Sequence, residues 1–180
     1  MKVYKYFLLL VFFSCKKENQ SAAILMAIQQ NGTLVTSEYV VNKIIKANDN
    51  QTWYKLGDRK ILMSCEARIK AGVSLQNVKA EDVVVDERNI HIQLPAVQLF
   101  SINIPPESIR IHHLEVGLLR DEFSTSEREK MLSQAETQIR NLSDSLGILK
   151  NAQENASAYI MNLMRQSGFE TVTINFKNRP

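Results

Sequence analysis

The sequence predicts an α+β fold with a mostly antiparallel sheet, a C-terminal long or broken helical segment and a final strand. Three observations indicate this fold. Apolar and polar residues alternate at period two over residues 60–71. Apolar residues recur at three- and four-residue spacing after Leu132, and residues 170–176 are again rich in β-branched side chains. A series of strands followed by a helical region is typical of α+β proteins.

The predicted strands occupy most of the chain before residue 120. Their segments are rich in β-branched and aromatic residues, which favour strands. In residues 60–71 the apolar face includes Cys65, which we expect to be buried as a small hydrophobic residue. Residues 86–89 are polar and predict the turn of a hairpin, with about four residues in the loop. The predicted strand segments before residue 120 are 33–47, 53–56, 60–71, 83–85, 90–94 and 109–119.

A helical region is predicted to begin near residues 124–126, where Ser124 with Glu127 and Ser126 with Glu129 form two overlapping capping-box patterns. One helix over residues 132–163 would be about 48 Å long. A compact domain of this size is only about 40 Å across. Either the helix kinks or breaks near Gly147, which we favour, or it is continuous, projects from the domain and pairs with a partner. We also expect a helix C-cap at Gly168.

The apolar residues of this helical region fall into two heptad series that only Gln153 interrupts. Such a stripe packs on a sheet, or mediates self-association or binding of a partner helix. The residues expected to form this surface are Leu132, Ile139, Leu142, Leu146, Leu149, Ile160 and Leu163.

The first fifteen residues have the features of a secretory signal, with Lys2 and Lys5 before an apolar run at 7–13. This run is shorter than the ~20 apolar residues of a membrane-spanning helix. Together with Ser14-Cys15 it resembles the lipobox of bacterial lipoproteins, although Phe12 and Phe13 replace the usual leucine and small residue. The resemblance implies that the thiol of Cys15 receives a diacylglycerol and that the preceding peptide is removed.

The lipoprotein interpretation divides the chain into a signal peptide at 1–14, a lipidated tether at 15–23 and a single α+β domain at 24–180. An aspartate directly after the cysteine retains some lipoproteins in the inner membrane. Here Lys16 follows Cys15, so we expect a periplasm-facing anchor in the outer membrane. Loss of the leader would leave 20 basic and 19 acidic side chains, a balance that argues against a nucleic-acid-binding surface.

Short motifs within the domain resemble those of a known family. Residues 71–75, the pair Leu94-Pro95 after an isoleucine-rich strand, and Gly168-Phe169 are similar to the bacterial "domain of unknown function 4230" family, over roughly residues 33–176. The resemblance implies a membrane-anchored protein and supplies no catalytic residue. The order of anchor, strands, helix and closing strand also resembles the stomatin/prohibitin/flotillin (band 7) domains, as a fold-level analogy.

Candidate catalytic and metal-binding residues are few. The adjacent His112 and His113 should point to opposite faces of a strand, so at most one could join His91, whereas zinc sites usually need three or four ligands. The carboxylates of Glu81-Asp82 and Asp86-Glu87 flank a turn, where we expect them to be in water. The sequence contains no GxSxG motif and no glycine-rich phosphate loop. We therefore predict no catalytic, metal-binding or cofactor-binding residue.

Three functional hypotheses remain open from the sequence. The leading one is a non-enzymatic interaction or scaffold domain held at the cell envelope by lipid. The second is a module that binds an apolar ligand or lipid in a pocket between helix and sheet. The third is an envelope enzyme of unidentified type, with polar groups converging around His91 and His113.

Overall fold

The computed structural model describes residues 17–50 and 57–178, so the predicted strand at 53–56 lies outside the described residues. It confirms the α+β class: the described residues include three α-helices and seven strands with mainly antiparallel pairing, and the last strand follows the last helix. The helices are α1 (Lys17–Gln30), α2 (Thr125–Leu142) and α3 (Ile148–Gln166). The strands are β1 (Thr33–Asp49), β2 (Arg59–Ser74), β3 (Val83–Asp86), β4 (Asn89–Leu94), β5 (Gln98–Asn103), β6 (Arg110–Val116) and β7 (Thr171–Phe176).

The chain divides into two compact units. The first contains the described residues up to 34, residues 74–96 and the residues from 157 onward. The second contains residues 35–73 and 97–156. The first unit therefore holds the small sheet of β3, β4 and β7, and the second holds the sheet formed by β1, β2, β5 and β6.

Strand β2 is the centre of the second unit. It lies between β1 and β5 in the sheet order, and β6 also pairs with it. Its alternate apolar side chains are almost completely buried, which confirms the predicted strand and the predicted burial of Cys65. Each buried isoleucine or methionine of this row contributes about 1.5–3 kcal/mol through removal of apolar surface from water. The buried row is Ile61, Met63, Cys65, Ala67, Ile69 and Ala71.

The first unit is organised around β4, which pairs with β3 on one side and β7 on the other. The β3–β4 hairpin is confirmed, but Asp86 pairs with Asn89, so the loop contains two residues rather than about four. Glu87 in this loop has φ 54°, the left-handed conformation that tight hairpin loops require. Strand β7 runs parallel to β4, which is possible because a long intervening stretch of chain separates them.

The predicted break in the helical region is confirmed at Gly147. The N–H of Ile148 donates to the carbonyl of Ser143 at 3.2 Å, and the N–H of Gly147 donates to the carbonyl of Asp144 at 3.0 Å. This is the Schellman arrangement that ends a helix, and Gly147 supplies the left-handed residue with φ 69°. The predicted cap at Gly168 has the same pattern at the end of α3.

Two predicted boundaries were wrong. Helix α1 begins at Lys17, whereas the sequence predicted ordered structure from about Ile24, because lysine, glutamate, glutamine and alanine extend a helix readily. Strand β6 ends at Val116 rather than Leu119. There Gly117 turns the chain so close to Gly57 that a Cβ on Gly117 would lie 3.0 Å from the Cα of Gly57. In the described part of the chain, no helix is long and apolar enough to span a membrane.

Candidate functional site

The two adjacent histidines lie on the same face of the sheet, not on opposite faces as predicted. His113 pairs with Leu62 and Ile111 pairs with Met63, so His112 is an extra residue without a cross-strand partner. Such a β-bulge shifts the alternation of side chains by one residue. The bulge therefore directs both imidazole rings to the exposed face that carries Ser64. Nothing in the sequence marks this bulge.

His112 forms the shortest polar contact of this face. Its Nε2 lies 2.7 Å from the Oγ of Ser64 on β2. Beside it, Nε2 of His113 lies 3.8 Å from a carboxylate oxygen of Glu115, which also binds Lys60 at 3.2 Å. These side chains are exposed to solvent, where hydrogen bonds and ion pairs are weak.

The serine–histidine pair has the donor and acceptor of a nucleophilic dyad but lacks the group that would orient it. A working base is held by a third group on its second nitrogen. No carboxylate in the described chain hydrogen-bonds to the Nδ1 of His112. No group of three or more metal-ligating side chains occurs among the described residues. His91 is exposed on β4, in the other unit.

Asp82 corrects the expectation that the hairpin carboxylates are in water, because it is only 4% exposed. Burial alone would raise its pKa, but the Lys177 ammonium at 2.7 Å and the N–H of Lys79 at 2.9 Å lower the pKa below its ordinary value. Asp82 is therefore an ionised group that links Lys177, just after β7, to the segment before β3, and it is not suited to act as a base. Its neighbour Glu81 is exposed, as predicted.

The most elaborate polar cluster surrounds Arg59 at the start of β2. Its guanidinium donates to Asp49 at 2.7 Å and to Glu127 at 2.8 Å, and it lies 4.4 Å from the centre of the Phe123 ring. Arg120 also binds Asp49 and donates to the carbonyl of Gly57 at 3.0 Å. The cluster thus joins β1, β2, the segment after β6 and the first turn of α2.

Charge and hydrogen bonding hold this cluster in its ionised form. Hydrogen bonds from Arg59 and Ser124 lower the pKa of Glu127 to about 2. Hydrogen bonds to Glu127 and Asp49 raise the pKa of Arg59. Every charge is balanced by an opposite one, so the arrangement is suited to holding elements together and not to proton transfer. Sequence analysis identified Glu127 as a capping residue but missed Arg59, because no local pattern links residues 68 positions apart.

Cys65 is buried on the inner face of β2, and burial raises the pKa of its thiol. A raised pKa keeps the sulfur in the thiol form and disfavours a nucleophilic role. Cys15, the predicted lipidation site, lies outside the described residues.

The predicted helical stripe is only partly available at the surface. Ile139, Leu149 and Ile160 are buried within the chain. Leu142, the last residue of α2, is 48% exposed, and Leu146, four residues later in the connection to α3, is 49% exposed. On α3 the buried residues follow a different stripe with four-residue spacing: Ala152, Ala156, Ile160 and Met164.

An open groove runs beside β1 in the second unit, with a volume of about 440 Å³. Residues 43–46 of β1 form one wall and α2 forms the other. The lining from α2 is Met131, Gln134, Ala135 and Gln138. Half of the lining residues are lysine or glutamine, so the groove is not the enclosed apolar pocket expected of a lipid-binding module.

Comparison with known proteins gives one match. The sequence profile of the family described as "Protein of unknown function (DUF4230)" matches residues 26–174. No curated protein matches the chain, and no solved structure does. The similarity to band 7 domains stays a prediction. Because the profile covers most of the sequence, the chain belongs to the DUF4230 family of proteins of unknown function.

Proposed function

We propose that this protein is a lipoprotein, anchored to a membrane of the cell envelope by acylated Cys15, and that its folded part is a non-enzymatic interaction or scaffold domain. The observation that carries the proposal is the N-terminal order of Lys2 and Lys5, an apolar run at 7–13, Ser14 and Cys15. Acylation of such a cysteine adds more than one chain, which is enough for stable membrane attachment.

The start of the first helix fits this proposal. Helix α1 begins at Lys17, two residues after the acylated position. Few residues then separate the lipid from regular structure, so the anchor would hold the N-terminus of α1 near the bilayer surface. The anchor faces the periplasm, and the lysine at position 16 favours the outer membrane over the inner one.

The interaction role has a candidate surface on the helical segment. Leu142 and Leu146 form an exposed apolar pair, whereas Ile139, Leu149 and Ile160 of the predicted stripe are buried and contribute to packing. A small apolar contact of this kind suits a partner helix, or a second copy, whose position the membrane already restricts. The groove beside β1 gives less support to the alternative of a lipid-binding module because its lining is half polar.

Membrane fractionation with intact-mass analysis tests the anchor. We expect the wild-type chain in the outer-membrane fraction, without residues 1–14 and with added acyl chains. Cys15→Ser should keep the leader and lose the acyl mass. Cys65→Ala is the matched control, since that cysteine is buried and should not affect acylation. A wild-type chain that retains its leader and carries no acyl group would contradict the proposal.

A further inference from the structure

Strand β1 has a long open edge. It is 17 residues long and stands at the end of the sheet order β1–β2–β5, so among the described residues only β2 pairs with it. An edge strand offers unpaired N–H and C=O groups to any strand that can lie beside it. Natural edge strands of this length are usually protected by charge, by a bulge or by a partner.

The exposed face of β1 carries an ordered set of side chains. From residue 38 to residue 46 the exposed positions are an acid, an apolar residue, an amide, an apolar residue and a base. Val40 is 60% exposed and Ile44 is 63% exposed, which is unusual for large apolar side chains on a strand edge. The five residues are Glu38, Val40, Asn42, Ile44 and Lys46.

This order of side chains is self-complementary when two copies of β1 lie antiparallel with their Asn42 residues opposite each other. In an antiparallel pair of two β1 strands, Glu38 would face Lys46 of the second copy, and Val40 would face its Ile44. Asn42 would face Asn42 across the twofold axis, so the contact would be closed and symmetric. A shift by two residues would place one charge opposite an apolar residue, either Glu38 opposite Ile44 or Lys46 opposite Val40. Only the register centred on Asn42 matches all five positions.

The charged ends of this segment are available for such pairing. Within residues 17–50 and 57–178, neither Glu38 nor Lys46 takes part in an ion pair or a side-chain hydrogen bond. Opposite charges and apolar side chains that face each other across two strands stabilise a sheet, and like charges destabilise it.

Neighbouring elements limit the part of the β1 edge that is free for pairing. At Thr36 the edge is occupied, because the side chain of Asn155 donates to the Thr36 carbonyl at 3.1 Å. From residue 43 to residue 46 the open groove lies beside the strand. In the register centred on Asn42, residues 38–41 of the second copy would lie along this groove. The free part of the edge therefore coincides with the self-complementary segment.

We infer that β1 pairs edge to edge with β1 of a second copy of this chain, antiparallel and centred on Asn42, to form one continuous sheet across a symmetric dimer. The inference goes beyond the proposed function by naming the partner and the surface. It does not depend on lipidation. A membrane anchor would only raise the local concentration of the two copies.

Cysteine cross-linking of the full chain tests the register. In Asn42→Cys the two thiols of a dimer would face each other, with Cβ atoms about 5 Å apart. In Asn48→Cys, on the same exposed face, they would be about 40 Å apart. With a bismaleimide shorter than 10 Å, we expect a covalent dimer for Asn42→Cys only. The wild-type chain is the control for any cross-linking through Cys15 or Cys65. Equal yields for the two variants would overturn the inference.

Charge reversal tests the pairing itself, with Asn42→Cys as the reporter. Glu38→Lys or Lys46→Glu alone would turn two attractive pairs into two repulsive ones, and we expect each to weaken dimerisation about tenfold. Combining both reversals restores opposite pairs and should restore the wild-type yield. All three variants alter exposed side chains, so folding should be unaffected. A double variant no better than the single ones would overturn the inference, whether or not Cys15 proves to be acylated.

Discussion

The guanidinium of Arg59 binds the same carboxylate of Glu127 that caps helix α2. Glu127 accepts the backbone N–H of Ser124 at 2.7 Å and the Arg59 side chain at 2.8 Å. The carboxylate of Glu127 therefore satisfies an unpaired N–H at the start of α2 and also neutralises the buried cation of β2. These contacts hold the start of α2 beside β2. Arg59 adds to them by donating to the carbonyls of Asp121 and Glu122, just before the helix.

Replacement of Arg59 by methionine should destabilise the second unit strongly. The substitution keeps the apolar stem, leaves Glu127 without its cation and removes one of the cations that bind Asp49. Because both carboxylates are partly exposed, we expect a loss of about 1.5–3 kcal/mol. Urea unfolding followed by circular dichroism measures the loss. Lys60→Met is the matched control, because it removes an exposed pair with Glu115 and should cost about 0–1 kcal/mol. Equal losses in the two variants would contradict a structural role for the cluster.

Acid should destabilise the wild-type protein through Glu127. Its pKa is lowered from 4.5 to about 2 in the folded state, so the stabilising effect is present above pH 4.5 and is lost as the pH falls toward 2. Glu127→Gln cannot titrate, and its stability should fall less steeply over this interval. The difference in unfolding free energy between the wild type and Glu127→Gln should therefore become smaller as the pH falls. Urea midpoints at pH 7, 4 and 2.5 measure it, and parallel curves would rule out this linkage.

The conformation of Gly147 predicts a graded effect of substitution. A Cβ at this position would meet no atom within 4 Å, so strain at φ 69° is the sole cost. Gly147→Ala should lose about 1 kcal/mol of unfolding free energy, whereas Gly147→Asn should lose less because asparagine tolerates the left-handed region. Chemical denaturation of both variants tests the order. A Gly147→Ala variant as stable as the wild type would contradict the left-handed conformation at the junction of α2 and α3.

Features with a local cause could be predicted from the sequence, and features with a distant cause could not. The alternation in β2 and the break at Gly147 each depend on neighbouring residues, and both were confirmed. Of the two overlapping capping boxes that the sequence offered, the one at Ser124 was confirmed. The burial of Asp82 depends on Lys177, which lies 95 positions away. The bulge at His112 depends on how β6 aligns with β2. In both cases tertiary pairing decides the outcome, and no local sequence pattern encodes it.

The serine–histidine pair should be chemically inert despite its short distance. Ser64 and His112 are close, but a hydroxyl becomes a nucleophile only when its base is oriented and the developing oxyanion is stabilised. A fluorophosphonate probe should therefore leave Ser64 unlabelled at concentrations that label an activated serine in a control hydrolase. Because the pair is exposed, Ser64→Ala should also change stability by less than about 1 kcal/mol. Labelling of wild type that disappears in both Ser64→Ala and His112→Ala would instead support the hypothesis of an envelope enzyme.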